Sequence, residues 1–346
     1  MRHSRSSNGR LIRPLEPLAA HSQTINTMAV IRPGMVLSGG NDQLAALTNT
    51  DSGEIHQVWD NKTVINKLCY RSYVAKHALV TGNKDTTLSL LMFQSDGCSG
   101  PSAVFRGHEY PVTGVVNISE SSIMSGSRDC TVRLWDLETK ACIRSQKLNR
   151  NMVTHMTYNC ARNLVAQTSE DKSLKLWDPR SASVAMEFPR KQHIQMYCEF
   201  GSDNRVFSCS NGFNGTGCEI TSYDLNNPSV CRIVRGHEGS VTSMAVVQME
   251  GGKKLLASVA ADKHIRLWKI EDSGEDGCRV SEEEVPLEAD NLQVCTYPDG
   301  HIIVSGGKGR MIHYQAKLAA QRVILDVQLK QKPKGVGQSS SSHTIR

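Results

Sequence analysis

Aromatic residues make up only 5% of the 346-residue sequence, and no run of 18 apolar residues occurs in it. A transmembrane helix needs about 20 mostly apolar residues, so the sequence predicts no membrane span. The basic segment 1–7 is not followed by the apolar stretch of a secretion signal. We therefore predict a cytoplasmic protein.

The eleven cysteines are odd in number and include no Cys-x-x-Cys pair, which argues against a disulfide framework and fits a reduced compartment. Cys198, Cys209 and Cys218 lie near His193, but their spacings of eleven and nine residues match no common structural zinc site. We predict that these thiols pack in the core and that the protein binds neither a metal nor another cofactor.

The charges are nearly balanced, because 40 Lys and Arg are offset by 34 Asp and Glu to leave a formal net charge of +6. Single-stranded nucleic acid prefers a basic track with stacking aromatics, and the sequence offers neither. The acidic segment 271–277, with Glu282–Glu284, is predicted to face solvent, since calcium sites need a tighter alternation of ligands. We expect protein partners and no nucleic acid.

A unit with a spacing of 41 to 50 residues recurs seven times along the chain. Its anchor is a polar residue within an apolar run, at Ser38, Thr81, Ser125, Gln167, Ser208, Ser258 and Ser305. Four residues later, a turn position reads Asp42, Asp85, Asp129, Asp171, Gly212, Asp262 and Gly309. A period of about 40–45 residues with several short strands per unit is typical of a β-propeller.

Two units carry four polar residues that can lock a β-hairpin, and we call each such set a tetrad. The tetrads are His108, Ser125, Asp129 and Trp135 in the third unit, and His237, Ser258, Asp262 and Trp268 in the sixth. The carboxylate can accept a hydrogen bond from the imidazole, which reaches the serine, and the indole N–H joins them. The same residue types occur in hydrolase triads, but the identical Ser-to-Asp and Asp-to-Trp offsets favour a structural role. We predict no enzymatic activity.

The other units keep only part of the tetrad. The first has His21, Ser38 and Asp42, with Thr48 at the tryptophan position. The second has Thr81 and Asp85, with Leu91 at that position. The fourth has Asp171 and Trp177, with Gln167 and Arg150 replacing serine and histidine. The fifth places Tyr223 at the tryptophan position after a lengthened turn, and the seventh places Gln315 there.

The sequence resembles the WD40 repeat family over roughly residues 10–329. The resemblance is carried by Gly-His before a strand, an Asp in the hairpin turn and Trp-Asp at the end of the unit. The resemblance implies one all-β domain, a seven-bladed propeller with four antiparallel strands per blade, that acts as a protein-interaction scaffold. We expect segment 1–9 to be disordered and the basic, serine-rich segment 330–346 to be a flexible tail.

Such a ring is usually closed by a strand from one terminus that completes a blade begun at the other. Two segments are candidates, Arg10–Leu15 and Val323–Leu329. We favour the first, with Pro14 at an edge position, and expect the second to form a further strand or a cap.

Residues next to the turn aspartates and the Gly-His positions are expected to line the channel mouth and to contact partners. They are Lys84, Glu109, Tyr110, Arg128, Glu170 and Lys308. Mixed charges with an aromatic suit a protein or peptide. The Gly-rich stretch Ser210–Cys218 lacks the Gly-Lys-Ser/Thr of a phosphate loop, and we interpret it as a flexible turn. A partner-facing Phe213 is the functional alternative.

Two further resemblances bear on function. Trp177-Asp178-Pro179-Arg180 resembles the Trp-Asp-x-Arg box of WD40 proteins that dock on the cullin-4 ubiquitin-ligase adaptor, which implies a substrate receptor that binds through Arg180. Four segments resemble a cilium-associated member of the family: Asn151–His155, Gln167–Asp178, Lys191–Glu199 and Ser208–Phe213. That resemblance implies an adaptor in cilium or flagellum assembly and intraflagellar transport, located in the cytoplasm, cilium or basal body.

Overall fold

The computed structural model describes residues 18–72, 77–93, 101–270, 279–288, 291–319 and 322–328. The predicted disordered segment 1–9, the predicted tail 330–346, the acidic segment 271–277 and the candidate closing strand Arg10–Leu15 lie outside these residues. The described residues form seven consecutive antiparallel sheets, so the predicted seven-bladed β-propeller is confirmed.

Six blades are each built from four strands that follow one another in sequence and in space. After β1 (Leu18–Ala19), blade one consists of β2 (Ile25–Arg32), β3 (Met35–Gly40), β4 (Leu44–Asn49) and β5 (Ile55–Asp60). Blade two consists of β6 (Ile65–Ser72), β7 (His77–Asn83), β8 (Leu88–Phe93) and β9 (Ala103–Phe105). Blade three consists of β10 (Val112–Asn117), β11 (Ser122–Ser127), β12 (Thr131–Asp136) and β13 (Cys142–Lys147).

The second half of the ring follows the same plan, with two short 3-10 turns at Glu250–Gly252 and Gly307–Gly309. Blade four consists of β14 (Val153–Asn159), β15 (Leu164–Ser169), β16 (Leu174–Asp178) and β17 (Ser183–Glu187). Blade five consists of β18 (Gln195–Ser202), β19 (Arg205–Ser210), β20 (Glu219–Asp224) and β21 (Cys231–Arg235). Blade six consists of β22 (Val241–Gln248), β23 (Lys254–Ala260), β24 (His264–Lys269) and β25 (Arg279–Glu284). Blade seven consists of β26 (Gln293–Tyr297), β27 (His301–Ser305), β28 (Arg310–Ala319) and β29 (Arg322–Val327).

The first strand of each blade is innermost, and these strands contact one another around the ring, with β2 next to both β6 and β26. The hydrophobic core lies between neighbouring blades: Met124 and Val132 of blade three pack with Val153 and Met156 of blade four. Both sides of the second strand are therefore covered, which explains its small residues. A Cβ at Gly126 would lie 2.7 Å from the Met156 sulfur, so only glycine fits this contact.

Antiparallel pairing places the loops of every blade on two opposite faces. The face that carries the connections between blades and the turns between the second and third strands is called the top face. The bottom face carries the turns between the first and second and between the third and fourth strands. All tetrad turns are therefore on the top face, and the Trp-Asp ends of the third strands are on the bottom face.

Both ends of the described chain complete blade seven. β29 pairs with β28 from Tyr314 to Ala319, and β1 pairs with the first two residues of β28. The favoured segment Arg10–Leu15 lies outside the described residues, so N-terminal closure stays a prediction, whereas the second candidate forms a further strand on β28, as expected. Together β1 and β29 cover the outer edge of the ten-residue β28.

Candidate functional site

The blade-three tetrad joins the top-face turn to the connection from blade two. The His108 Nδ1 lies 2.8 Å from Asp129 Oδ2, and its Nε2 lies 2.8 Å from Ser125 Oγ. Trp135 Nε1 donates to the same Ser125 Oγ at 2.8 Å. Asp129 also accepts the backbone N–H of Glu109 at 3.0 Å. All four side chains of the tetrad are buried.

Blade six repeats this geometry with one added cation. His237 bonds to Asp262 at 3.0 Å and to Ser258 at 2.7 Å, and Trp268 Nε1 donates to Ser258 at 2.8 Å. The Arg266 guanidinium donates to Asp262 at 2.5 Å. Burial lowers the pKa of His237, although Asp262 opposes that shift.

Hydrogen bonding in the two tetrads also fixes the charge of the aspartates. Burial would raise the pKa of Asp129, but the bonds from His108 and Thr131 hold it well below its usual range. The same balance, with His237 as the main donor, holds the pKa of Asp262 low. Both carboxylates are therefore ionised at neutral pH.

The serines of the tetrads are not placed for nucleophilic attack. Ser125 and Ser258 are 0% exposed, and each hydroxyl already accepts an indole N–H while donating to imidazole. A nucleophilic serine must reach a substrate carbonyl. The geometry therefore supports the structural role that the repeated offsets predict.

Blade four replaces the tetrad with a different hydrogen-bond network. Trp177 Nε1 donates to Gln167 Oε1 at 2.9 Å, and the amides of Gln167 and Asn151 exchange two bonds at 3.1 and 3.2 Å. Asn151, and not Arg150, thus occupies the histidine place, which corrects the prediction. Arg150 is exposed in the turn before it, with a φ of +62°.

Lys175 completes the blade-four network, and sequence reasoning missed it. Its ammonium donates to Asn151 Oδ1 and to Asp171 Oδ2, both at 3.1 Å. Its side chain is only 4% exposed, and the Asp171 side chain 3%. The bonds from Ser173 and Lys175 hold the pKa of Asp171 below its usual value despite burial. A lysine in the middle of an otherwise apolar third strand was the available signal.

The remaining partial sets also differ from one another. In blade one, His21 bonds to Asp42 at 2.9 Å and to Ser38 at 2.8 Å. Thr48, at the tryptophan position, is buried, and its hydroxyl has no hydrogen-bond partner among the described residues.

Blade two has an asparagine where the histidine would be. Asn61 accepts from Thr81 at 3.1 Å and donates to Asn83 at 3.0 Å. Among the described residues, Asp85 bonds within its own turn alone, to the N–H and hydroxyl of Thr87. In blade two, Asn61 therefore joins the preceding connection to the second strand without a hydrogen bond to the turn aspartate.

In blade seven, the tryptophan position falls on His313 and not on Gln315, which corrects the prediction. His313 lies opposite the residue two positions before Ser305, as Trp135 lies opposite the residue two positions before Ser125. The prediction failed because the turn after Ser305 is shorter than in blade three, so a fixed count overshoots.

The environment of His313 is polar. Its Nε2 is 3.0 Å from the Tyr297 hydroxyl and 2.8 Å from His301 Nδ1. Burial and the neighbouring His301 lower the pKa of His313 to about 4. The imidazole is therefore neutral at physiological pH.

Among the predicted partner-binding residues of the top face, two bind each other. Arg128 and Glu170 form an ion pair of 2.8 Å between blades three and four. Tyr110 is 59% exposed and offers its ring to solvent, next to the exposed Glu109. Lys84 is exposed in the turn of blade two. The rim between blades two and four thus presents an aromatic ring within mixed charges.

The lengthened turn of blade five contains several backbone hydrogen bonds, and its flexibility stays a prediction. Phe213 and Thr216 exchange two backbone bonds of 3.0 Å, and Gly215 N donates to Glu238 O at 2.9 Å. Gly215 has a φ of +75° that glycine readily adopts. This turn leaves Phe213 78% exposed.

Arg180 lies on the bottom face, in the turn between β16 and β17. Its side chain is 80% exposed and makes an ion pair of 3.1 Å with Asp178. Trp177, beside it, is fully buried. The Trp-Asp-x-Arg box therefore exposes only its charged end.

The predicted core thiols Cys198, Cys209 and Cys218 are buried, and burial raises their pKa. In the part of the chain that the structure describes, no group of three His, Cys, Asp or Glu side chains is placed to hold a metal ion. No helix among the described residues is long and apolar enough to cross a membrane.

Comparisons with known proteins agree with this architecture. The family model "WD domain, G-beta repeat" matches residues 99–136 and 228–269, which contain the two complete tetrads. The WD40 β-propeller domain of Doa1 superposes with a TM-score of 0.69 at 21% identity, covering 86% of this chain and 94% of that one. At that identity the likeness shows the fold alone.

Curated relatives match over parts of their length. WD repeat-containing protein 1 from Gallus gallus is 24% identical over 284 residues, which is 76% of this chain and 44% of that protein. Transducin beta-like protein 3 from Bos taurus is 28% identical over 49% of this chain and 20% of its own length. Ribosome biogenesis protein YTM1 from Meyerozyma guilliermondii is 25% identical over 50% of this chain and 36% of its own length. The chain thus spans less than half the length of each.

Proposed function

We propose that this chain, a WD40-repeat β-propeller, acts as a non-enzymatic protein-interaction scaffold. The observation that carries the proposal is the top-face rim, where Tyr110 is 59% exposed beside exposed charges on the turns and connections of the propeller. Loops on a rigid framework commonly carry recognition, and aromatic residues surrounded by charge are typical of interaction hot spots. Because both tetrad serines are buried and already hydrogen-bonded, we assign the tetrads to the framework and recognition to the rim.

The test is a pull-down that compares two double variants. Tyr110→Ala with Arg128→Glu changes the top-face rim, and Glu138→Ala with Lys140→Glu changes exposed positions of the bottom face as the matched control. We expect the first double variant to lose at least one of the partners that the wild-type chain captures and the second to keep them all. Equal capture by both variants would contradict recognition at this rim.

We further propose that the scaffold works in cilium or flagellum assembly and in regulating intraflagellar transport, in the cytoplasm, cilium or basal body and in contact with the cytoskeleton there. The support is the resemblance of four segments of blades four and five to WD repeat-containing protein 31. Asn151, Gln167 and Lys175, which build the network particular to blade four, lie in those segments. The resemblance therefore involves more than generic repeat residues.

Proximity labelling in a ciliated cell tests this assignment. We expect label on intraflagellar transport components, with the tagged chain at the basal body or axoneme. One relative, YTM1, is named a ribosome biogenesis protein, so label confined to ribosome assembly factors would replace the ciliary assignment and leave the scaffold proposal intact.

A second candidate function is that of a substrate receptor for a cullin-4 ubiquitin ligase. The observation that favours it is the 80% exposure of the Arg180 side chain at the end of the Trp-Asp-x-Arg box. Blade three has Glu138 at the equivalent position, which provides a matched control. We expect Arg180→Ala to abolish adaptor binding and Glu138→Ala to leave it unchanged. Full adaptor binding by the Arg180→Ala variant would end this candidate.

A further inference from the structure

A cavity of about 280 Å³ opens on the top face between blades six and seven. The buried Val285 and Leu287, from the connection between the two blades, form its apolar floor. Lys263 lines it from the turn of blade six, and Lys308 and Arg310 line it from the turn of blade seven. The cavity thus combines an apolar floor with a basic rim.

The short turn of blade seven places these cations at the cavity. The backbone is left-handed at Lys308 and Gly309, with φ values of +56° and +66°. A Cβ at Gly309 would collide with the backbone of His21, so the turn depends on glycine at this point. The turn is consequently held against blade one, and the two basic side chains that flank Gly309 stand at the rim.

The charges at the rim leave two cations available. Lys308 forms an ion pair with Glu288, so these two charges offset each other. For Lys263 and Arg310, the part of the chain that the structure describes provides no ion pair, and Glu284 is the remaining carboxylate. Among the described lining residues, three cations thus stand against the two carboxylates of Glu284 and Glu288, and charge complementarity would steer an anionic group to this exposed rim.

The lengthened turn of blade five extends this surface. Gly215 N donates to Glu238 O, and Phe213 forms a bridge with Gly239. Next to Gly239, Ser240 O accepts the backbone N–H of Ala261, two residues before Lys263, at 2.9 Å. A continuous path of backbone contacts thus connects the exposed Phe213 to the cavity. We call this path, from Phe213 to Arg310, the blade five-to-seven surface.

We propose that the blade five-to-seven surface binds an extended, acidic peptide segment of a protein partner. Its carboxylates pair with Lys263 and Arg310, one apolar side chain enters the cavity above Val285 and Leu287, and a second packs on Phe213. Charged hydrogen bonds from arginine give orientation, and an exposed aromatic gives contact area. This inference rests on the proposed scaffold function and names the chemistry of one partner.

Fluorescence polarisation with labelled 12-residue peptides tests the proposal. The probes are a set in which three glutamates alternate with two leucines at varied spacings, and a matched set with lysine in place of glutamate. We expect wild-type protein to bind members of the first set and not the second. Arg310→Glu should weaken that binding by about tenfold or more, and Phe213→Ala by about fivefold.

Lys172→Glu, on the turn of blade four, is the matched control for charge reversal on the same face and should bind as wild type does. Lys263→Glu provides a second rim variant if Arg310→Glu lowers the melting temperature. No binding by any glutamate peptide, equal binding of the lysine set, or wild-type affinity in both rim variants would overturn the proposal. Equal competition by a single-stranded RNA would also overturn it, since a general polyanion site would then explain the binding.

The failure of this inference is distinguishable from failure of the scaffold function. If Arg310→Glu with Phe213→Ala keeps every partner that proximity labelling assigns to the wild-type chain, only the blade five-to-seven surface is wrong. If the wild-type chain has no partners at all, the scaffold function itself is wrong.

Discussion

In blade three, one histidine joins the turn aspartate to the strand serine, whereas in blade four Asn151 and Lys175 divide that task. Both networks end at a tryptophan N–H and begin at an ionised aspartate. The centre of the blade-three network is an imidazole, whereas the blade-four network contains the ammonium of Lys175, whose side chain is 4% exposed. The two ends of the hairpin lock are therefore alike, and the two centres differ in that buried ammonium.

The buried charge in blade four predicts that Lys175→Met causes the largest loss of stability among the variants considered. The substitution leaves the buried Asp171 carboxylate paired with the exposed Arg190 guanidinium at 3.6 Å, and breaking the buried Lys175 pair costs up to about 3–5 kcal/mol of unfolding free energy. Urea denaturation would measure the loss. A companion variant, Lys175→Met with Asp171→Leu, should recover much of the stability, because no buried charge is then unpaired. A loss below about 1 kcal/mol for the single variant would show that the lysine is not an essential part of the network.

Asp129→Ala in blade three should cost less, about 1–3 kcal/mol, because it leaves polar partners unsatisfied without stranding a charge. Asp129 bonds to His108, Thr131 and the Glu109 backbone. Asp85→Ala is the matched control, since among the described residues Asp85 bonds within its own turn alone, and it should cost less still. Equal shifts in melting temperature for the two variants would contradict the tetrad assignment.

Because the pKa of Asp129 is low in the folded protein, part of the stability that the blade-three tetrad contributes depends on pH. A carboxyl group with a folded pKa below its unfolded value of about 4 stabilises the protein above that pH, and the stabilisation is lost as pH falls through the folded pKa. We expect the free energy of unfolding to fall steadily below about pH 4. Asp129→Asn should make that slope shallower in acid titrations followed by circular dichroism. An unchanged slope would mean that other carboxylates account for it.

The smallest change in stability is expected in blade one, where the hydrogen-bond network of His21, Ser38 and Asp42 includes no tryptophan. Thr48 is buried and its hydroxyl has no hydrogen-bond partner among the described residues. Thr48→Val keeps the shape and removes the unsatisfied group, so stability should stay equal or rise by up to about 1 kcal/mol. Thr48→Ser, which keeps the hydroxyl and loses a methyl group, should destabilise the protein. If the valine variant is clearly less stable, the hydroxyl has a partner.

The fold and the two complete tetrads follow from the sequence because spacing determines them. A fixed offset between strand anchor and turn aspartate survives wherever the hairpin turn has one length, as at Ser125 and Ser258. Counting failed where loop length varies. It selected Arg150 because histidine lies 17 residues before the anchor in blade three, whereas Asn151 lies 16 residues before Gln167.

A chemical criterion would have corrected one of these errors. A buried residue that pairs with the Gln167 amide and also faces the Lys175 ammonium must both donate and accept, which Asn151 can do and an arginine cannot. The assignment of His313 needed the strand register, which the shortened turn hides from any count along the sequence. The cavity was also beyond sequence reasoning, because its walls come from the turns of two neighbouring blades and their connection, whose packing the repeat spacing does not give.

The shared outer edge of β28 has a topological consequence. Because β1 and β29 both pair with this one strand, the start and the end of the described chain meet there, and the ring is closed at β28. If these two ends are linked covalently, the ring stays closed and the chain can be opened at another loop. A circular permutant that links the two ends and begins in the exposed turn 137–141 would keep every blade intact, with its new ends on the bottom face.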